Sequence, residues 1–180
     1  MADSLKRLMA QKPFSKITVS ELIRDCDINR KTFYYHFQDI YELLKWMFDE
    51  EAFEIVKHFD YISDFEEMIR FVMDYVDKND YIINCAYDGI GHQGMKHFLY
   101  ADFHDVVFDF ITTAEQHSQI VLDIDYKDFL CDFYINAIAE MLLDWIKHRK
   151  KRDKKIVISY VITTINNSLA GIFNNSPFSR

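Results

Sequence analysis

From Ile40 to Phe59 apolar residues return with the period of an α-helix: Ile40, Leu43, Leu44, Met47, Phe48, Ala52, Ile55, Val56 and Phe59 share one face. Phe65, Met68, Ile69, Val72 and Val76 repeat the pattern over 64–77, and further helices are expected over about 95–116, 126–150 and 154–173. The chain leaves little room for other architectures. It holds 4 Gly and 2 Pro in 180 residues, whereas a sandwich or barrel needs a turn about every 8–12 residues. The run Ile156–Ile165 is β-branched enough for a strand. No second strand stands near to pair with it, so helix is the better reading. Residues 79–95 look irregular and carry three of the glycines, which predicts an interhelical loop. The fold class is therefore all-α.

Apolar residues make up 49% of the chain, enough for a sizeable core. No uninterrupted apolar run approaches the ~18 residues of a membrane span, and the first residues lack the apolar stretch of a signal peptide. Cys26, Cys85 and Cys131 are odd in number and far apart. They suggest neither a disulfide framework nor a CxxC metal site, and point to a reducing cytoplasm. The net charge of −8 hides an asymmetry: residues 1–37 carry seven Lys/Arg against four Asp/Glu, and the remainder carries 14 against 25. An acidic body bears a mildly basic end.

That end has the densest local signals. Leu5, Leu8 and Met9 make a short stripe that closes at Pro13. Thr18-Val19-Ser20-Glu21 has the spacing of a capping box, with Leu22, Ile23 and Cys26 as the apolar face of the helix it opens. Asn29 caps the next helix, whose inward residues are Phe33 and Phe37. The short gap between the two forces a sharp turn, giving a helix-turn-helix unit. Arg30 and Lys31 occupy the first turn of its second helix, where the dipole disfavours cations by ~0.3–1 kcal/mol each. Folding alone does not explain them. Together with free amides they make an anion-binding end, and Tyr34, Tyr35 and His36 lie beside it to meet phosphates, sugars and thymine methyls.

The stretch I-T-V-S-E-L-I-R-D-C-D-I-N-R-K-T-F-Y-Y-H-F-Q-D-I-Y-E-L-L resembles the DNA-binding domain of the TetR/AcrR transcriptional regulators, T-F-Y-Y-H-F being its specific part. Within that family R-K-T-F-Y-Y-H-F and the compact body look most like regulators of dihydroxyacetone kinase operons. The resemblance implies a DNA-binding domain over 1–45 and a helical ligand-binding and dimerisation domain over 46–180, about nine helices in all. It implies that Thr18, Tyr34 and His36 hold phosphates, and that Arg30, Lys31, Thr32 and Tyr35, following Asn29, face the bases of a pseudo-palindromic double-stranded operator. Three departures stand out. The family's usual turn Gly is Asp27, its usual Lys opening the fourth helix is Ile40, and relatives carry further residues before the first helix, which here begins almost at Met1.

The last two helices are too apolar for a lone protomer. The resemblance implies a homodimer through them, with Ile158, Ile162, Ile165 and Leu169 at the interface and recognition helices about 34 Å apart; burial of both helices within one protomer is the alternative. Aromatic residues crowd 80–135, and Tyr87, Phe103, Phe133 and Tyr134 are candidates for a small-molecule effector site, although aromatic stripes also serve as plain core. A body that docks a regulatory protein instead of a metabolite is the alternative.

Other motifs carry less. Gly89-Ile90-Gly91-His92-Gln93-Gly94 matches G-x-G-x-x-G but lacks the βαβ unit that motif needs. His92, His97 and His104 with Asp102, Asp105 and Asp109 do not have ligand-pair spacing, so neither a metal nor a cofactor is expected. No nucleophile and base can be named, so no enzyme is expected. The basic run Lys147–Lys155 reads as a solvated helix end.

Overall fold

A computed structural model describes residues 1–60, 64–148 and 152–175. Helices are α1 (Ala2–Met9), α2 (Val19–Asp25), α3 (Arg30–His36), α4 (Ile40–Phe48), α5 (Glu54–Val56), α6 (Phe65–Lys78), α7 (Asp80–Ser118), α8 (Ile124–His148) and α9 (Lys154–Asn175). A 3₁₀ turn covers Phe14–Lys16, a π-helical turn joins α4 to α5 over Asp49–Phe53, and no strand occurs among the described residues.

The first three helices form a small head around Leu5, Met9, Phe14, Ile17, Leu22 and Phe33, all buried. Thr18 caps α2 through the full box: its hydroxyl accepts from the Glu21 amide at 3.3 Å, and the Glu21 carboxylate accepts from the Thr18 amide at 3.0 Å. Between α2 and α3 Asp27 takes φ 52°, the left-handed conformation that Asp tolerates better than most residues. The Ile28 amide then donates to the Ile23 carbonyl at 3.0 Å, closing the helix end. Ile40 turns inward at 8% exposure, so a core side chain holds the place of the family's lysine.

The body is α4 to α9. The connecting helix departs from the periodic pattern at one place. The π turn inserts an extra residue, which rotates everything beyond it by about 100° relative to an unbroken helix. Phe53 joins the core and Ile55 of the expected face is 43% exposed, while Ala52 and Val56 of that face stay buried.

The predicted loop at 79–95 is helical instead. α7 runs through it and breaks only at Gly91, whose φ 72°, ψ 175° belong to a region essentially reserved for glycine. Alternating small and apolar residues concealed a helix that changes direction without ending. The glycine before it has a packing role: a Cβ at Gly89 would stand 2.7 Å from Phe14 Cβ, so its absence lets the head seat against α7.

α9 is long and apolar enough to cross a membrane by length and composition. It instead packs mainly on α6, burying Ile158, Ile165, Leu169 and Phe173, and keeps Asn166, Asn167 and Thr163 outside. Of the basic run, Arg149, Lys150 and Lys151 lie outside the described residues. Lys154 bonds Asp77 at 2.7 Å and also pairs with Asp74, pinning α9 to α6.

Candidate functional site

Phe33 is the anchor of α3. It is fully buried, and truncating such a ring costs about 3–5 kcal/mol. With Phe33 inward, the same helix must present Arg30, Lys31, Tyr34 and Tyr35 outward, and all four are exposed. Tyr35 is 84% exposed, unusual for an aromatic residue that serves only packing. Asn29 caps the helix by accepting from the Thr32 amide at 2.8 Å. Arg30 lies over the Tyr34 ring at 5.4 Å, donates to its hydroxyl at 3.3 Å and reaches the Ser20 hydroxyl at 3.5 Å. These contacts fix the guanidinium between α2 and α3 before any ligand arrives. His36 is exposed, edge-on to Tyr35 at 5.0 Å, and Thr32 is half-buried.

Thr18 stands exposed at the start of α2, its hydroxyl bonded to Glu21 at 2.7 Å. The Lys12 ammonium and Thr18 hold the Glu21 carboxyl down at about 2, so the cap remains charged at any physiological pH. The result is one convex face carrying guanidinium, ammonium, phenol and imidazole groups. Such a face has the charge and the hydrogen-bonding groups that phosphates and base edges call for.

The body leaves an open cavity between its helices. A cavity of about 380 Å³ lies among α6, α7, α8 and α9, lined among others by Phe65, Met68, Phe103, Phe133, Tyr134 and Trp145. Its lining is almost wholly apolar, and the Tyr134 hydroxyl is spent on the Ser168 hydroxyl at 2.7 Å. Three of the four aromatic candidates thus meet at one cavity. Tyr87 does not: its hydroxyl contacts His92 Nδ1 at 3.2 Å beside the Gly91 break.

Two family models match the chain, Bacterial regulatory proteins, tetR family, over residues 3–47 and Transcriptional regulator C-terminal region over residues 63–167. The chain belongs to the TetR family. This regulator is 24% identical to the HTH-type dhaKLM operon transcriptional activator DhaS of Lactococcus lactis subsp. lactis (strain IL1403) over 77% of its own length and 73% of the relative's. It superposes on a solved structure of a dihydroxyacetone kinase operon activator DhaS with a TM-score of 0.67 at 22% identity, covering 99% of this chain and 96% of that one. DNA binding by the head follows from the family, and the individual contacts belong to the proposal below.

The regulator's head and body are joined by charge as well as by packing. Lys6 of α1 pairs with Glu51 of the π turn, and Glu51 also accepts from the Tyr75 hydroxyl of α6 at 3.2 Å. Burial first, and the neighbouring Glu51 charge second, push the Tyr75 phenol far above its usual range. Lys45 of α4 bonds Asp102 of α7 at 2.6 Å and Asp49 at 3.1 Å. The π turn is thus tied to both units, a position where such turns often occur in functional helices.

The interface residues expected on α9 lie largely within the protomer. Ile158, Ile165 and Leu169 are buried within the protomer at 2%, 7% and 7% exposure, and Ile162 is half-buried. An apolar helical stripe reads alike whether it faces its own core or a partner, and here its own core claims it. One stripe of exposed apolar residues lies elsewhere: Phe129, Phe133, Ala137 and Met141, four apart on α8, with Ile156 and Tyr160 on α9. No group of three or more His, Cys, Asp or Glu side chains placed to hold a metal occurs among the described residues.

Proposed function

We propose that this TetR-family regulator is a cytoplasmic homodimer that binds a pseudo-palindromic operator through α3, with residues 46–180 sensing a small molecule. The observation that carries the proposal is the face of α3. Two cations stand in the first turn of a helix whose opposite side is locked by Phe33, and two tyrosines extend beyond them. In this reading Arg30, Lys31, Thr32 and Tyr35 meet base edges, and Thr18, Asn29, Tyr34 and His36 hold the backbone.

The exposed stripe on α8 and α9 supports the dimer. Phe129, Phe133 and Met141 are 60%, 56% and 45% exposed, and contiguous apolar surface of this kind is costly unless a partner covers it. A two-fold contact there is self-complementary. It also closes the cavity, because Phe133, Met141 and Tyr160 belong to both the stripe and the cavity lining. The apolar cavity supports small-molecule sensing. Ligand and DNA are coupled only if the ligand prefers one arrangement of the heads, and the π turn is the element that such a preference would bias.

The experiment is selection of bound genomic fragments followed by gel shift with the recovered site. A two-fold symmetric sequence with half-sites one helical turn apart, bound by the wild type and not by Arg30→Ala, is the expected result. Binding that ignores sequence would overturn it.

A further inference from the structure

Among the described residues no charged side chain lines the cavity between α6, α7, α8 and α9. The few polar groups of its inner wall are already engaged. The Trp145 indole N–H donates to Asp77 Oδ1 at 3.3 Å. The Ser168 hydroxyl donates to the Ile165 carbonyl at 3.0 Å, so Tyr134 must give its own proton to Ser168, at 2.7 Å. Both hydroxyl protons are used within the wall, and only acceptor capacity remains on the two oxygens. Thr164 and Tyr160 are exposed, at the mouth where the cavity meets the stripe of α8 and α9.

Water is a poor occupant of such a space, because it needs about two to four polar partners. An ion is worse, since it would leave bulk water and meet no counter-charge in the wall. Asp102 supplies none. It belongs to a smaller cavity beside α4, with Lys45 and Asp49 as its partners and its Oδ2 shut off from solvent. Burial, ahead of the nearby Asp49 charge, pushes that carboxyl up to about 6. The larger cavity does reach the connector. Phe103 in its wall packs edge-on against Phe53 of the π turn at 5.1 Å, and Val56 of α5 lines it as well. An occupant that moves Phe103 therefore acts on the element that sets the heads.

We infer that this cavity takes an uncharged lipophile of about 15 non-hydrogen atoms, with at most one hydrogen-bond donor directed at the Tyr134 and Ser168 oxygens. This rests on the sensor reading above and names the ligand's chemistry. The size follows from the volume, since about 380 Å³ is about two and a half times the ~150 Å³ that accepts one benzene. A carboxylate, a phosphate or an ammonium would lose its hydration with nothing in return. A polyol would bring several hydroxyls to two acceptors. Affinity then comes from apolar contact, about fourfold for each methylene buried.

The test is fluorescence titration of the full chain with two matched probes. One is N-phenyl-1-naphthylamine, neutral, of about that size and with a single N–H. The other is 8-anilino-1-naphthalenesulfonate, the same skeleton bearing a sulfonate. The neutral probe is expected to bind at least about tenfold tighter. 1-Octanol and 1-decanol should displace it, the longer alcohol about tenfold better, whereas octylamine, octanoate and glycerol should not. Ile69→Trp and Val161→Trp intrude on the space from α6 and from α9, and each should weaken the neutral probe while keeping the thermal transition. Equal affinity for the two probes, displacement by octylamine or octanoate as strong as by octanol, or affinity unchanged in a folded Trp variant overturns the lipophile inference. The sensor reading survives that result if a charged compound is the one bound. Neutral-probe binding that disappears as the chain dimerises shows the partner's side chains filling the space, and overturns the inference too. Failure of every probe and competitor to bind overturns both readings.

Discussion

Exposed side chains on α3 and on α8 are out of place for opposite reasons. On α3, Arg30 and Lys31 put positive charge where the helix dipole is already positive. On α8, Phe129, Phe133 and Met141 put apolar surface where water is the neighbour. Each surface contains residues that folding one protomer leaves unexplained. The difference is in how visible that is. A cation in a first turn has no core explanation, so it stands out in the bare sequence. An apolar residue always has one, so the α8 stripe is indistinguishable from core until burial is known.

The strongest way to break this contrast is to charge both apolar stripes. Ile165→Asp buries a carboxylate in the protomer and should cost more than about 4 kcal/mol, seen as loss of the cooperative thermal transition. Phe133→Asp should leave the protomer folded and shift its sedimentation to that of a single chain. A folded monomer from Ile165→Asp would return the interface to the inner stripe of α9. On the other surface, Arg30→Ala should lower operator affinity by about tenfold to a hundredfold in gel shifts at fixed salt. Its melting temperature should stay unchanged, because nothing in the core depends on the guanidinium. Tyr34→Phe should act in the same direction and more weakly, at about 1 kcal/mol.

Smaller effects sharpen the link between the surfaces. Gly91→Ala forces a side chain into φ 72° and should destabilise the body by about 1–3 kcal/mol in chemical unfolding. The effect at Asp102 depends on pH. Its folded carboxyl titrates near 6 against the ordinary 3.8, so the folded state holds the proton more tightly. Its contribution to stability is therefore most favourable below pH 4 and is lost as pH rises toward 6. Asp102→Asn should gain on the wild type over that window by about 1–3 kcal/mol, measured by urea unfolding at pH 4 and pH 7. A constant difference across the two pH values would remove the burial explanation.

Much of the head was legible because each element there is announced by a residue with one job. Thr18 and Asn29 mark helix starts, Asp27 accepts the turn conformation, and Phe33 and Phe37 alternate with cations and tyrosines. The body was legible as helices but not as faces. The π turn leaves no mark in composition, and a single-residue slip exchanged Phe53 for Ile55 on the buried side. The glycines at 89 and 91 read as a loop, yet one accommodates Phe14 and the other bends a continuing helix. Asp102 came up only as a metal candidate. Its isolation results from α4 and α7 meeting, which no local pattern records.

The extra residue between Asp49 and Phe53 also determines what a change of chain length would do there. Removing one residue would restore an ordinary helix, but only by giving up the Lys6–Glu51 pair and the seat of Phe14 against α7. The head would swing by about 100° about the connecting axis and draw in by about 1.5 Å. In a two-fold assembly that swing occurs twice, the two related by the axis, so the reading heads would fall out of phase with the duplex. A deletion there would silence the regulator by unseating its heads as well as by mistiming them.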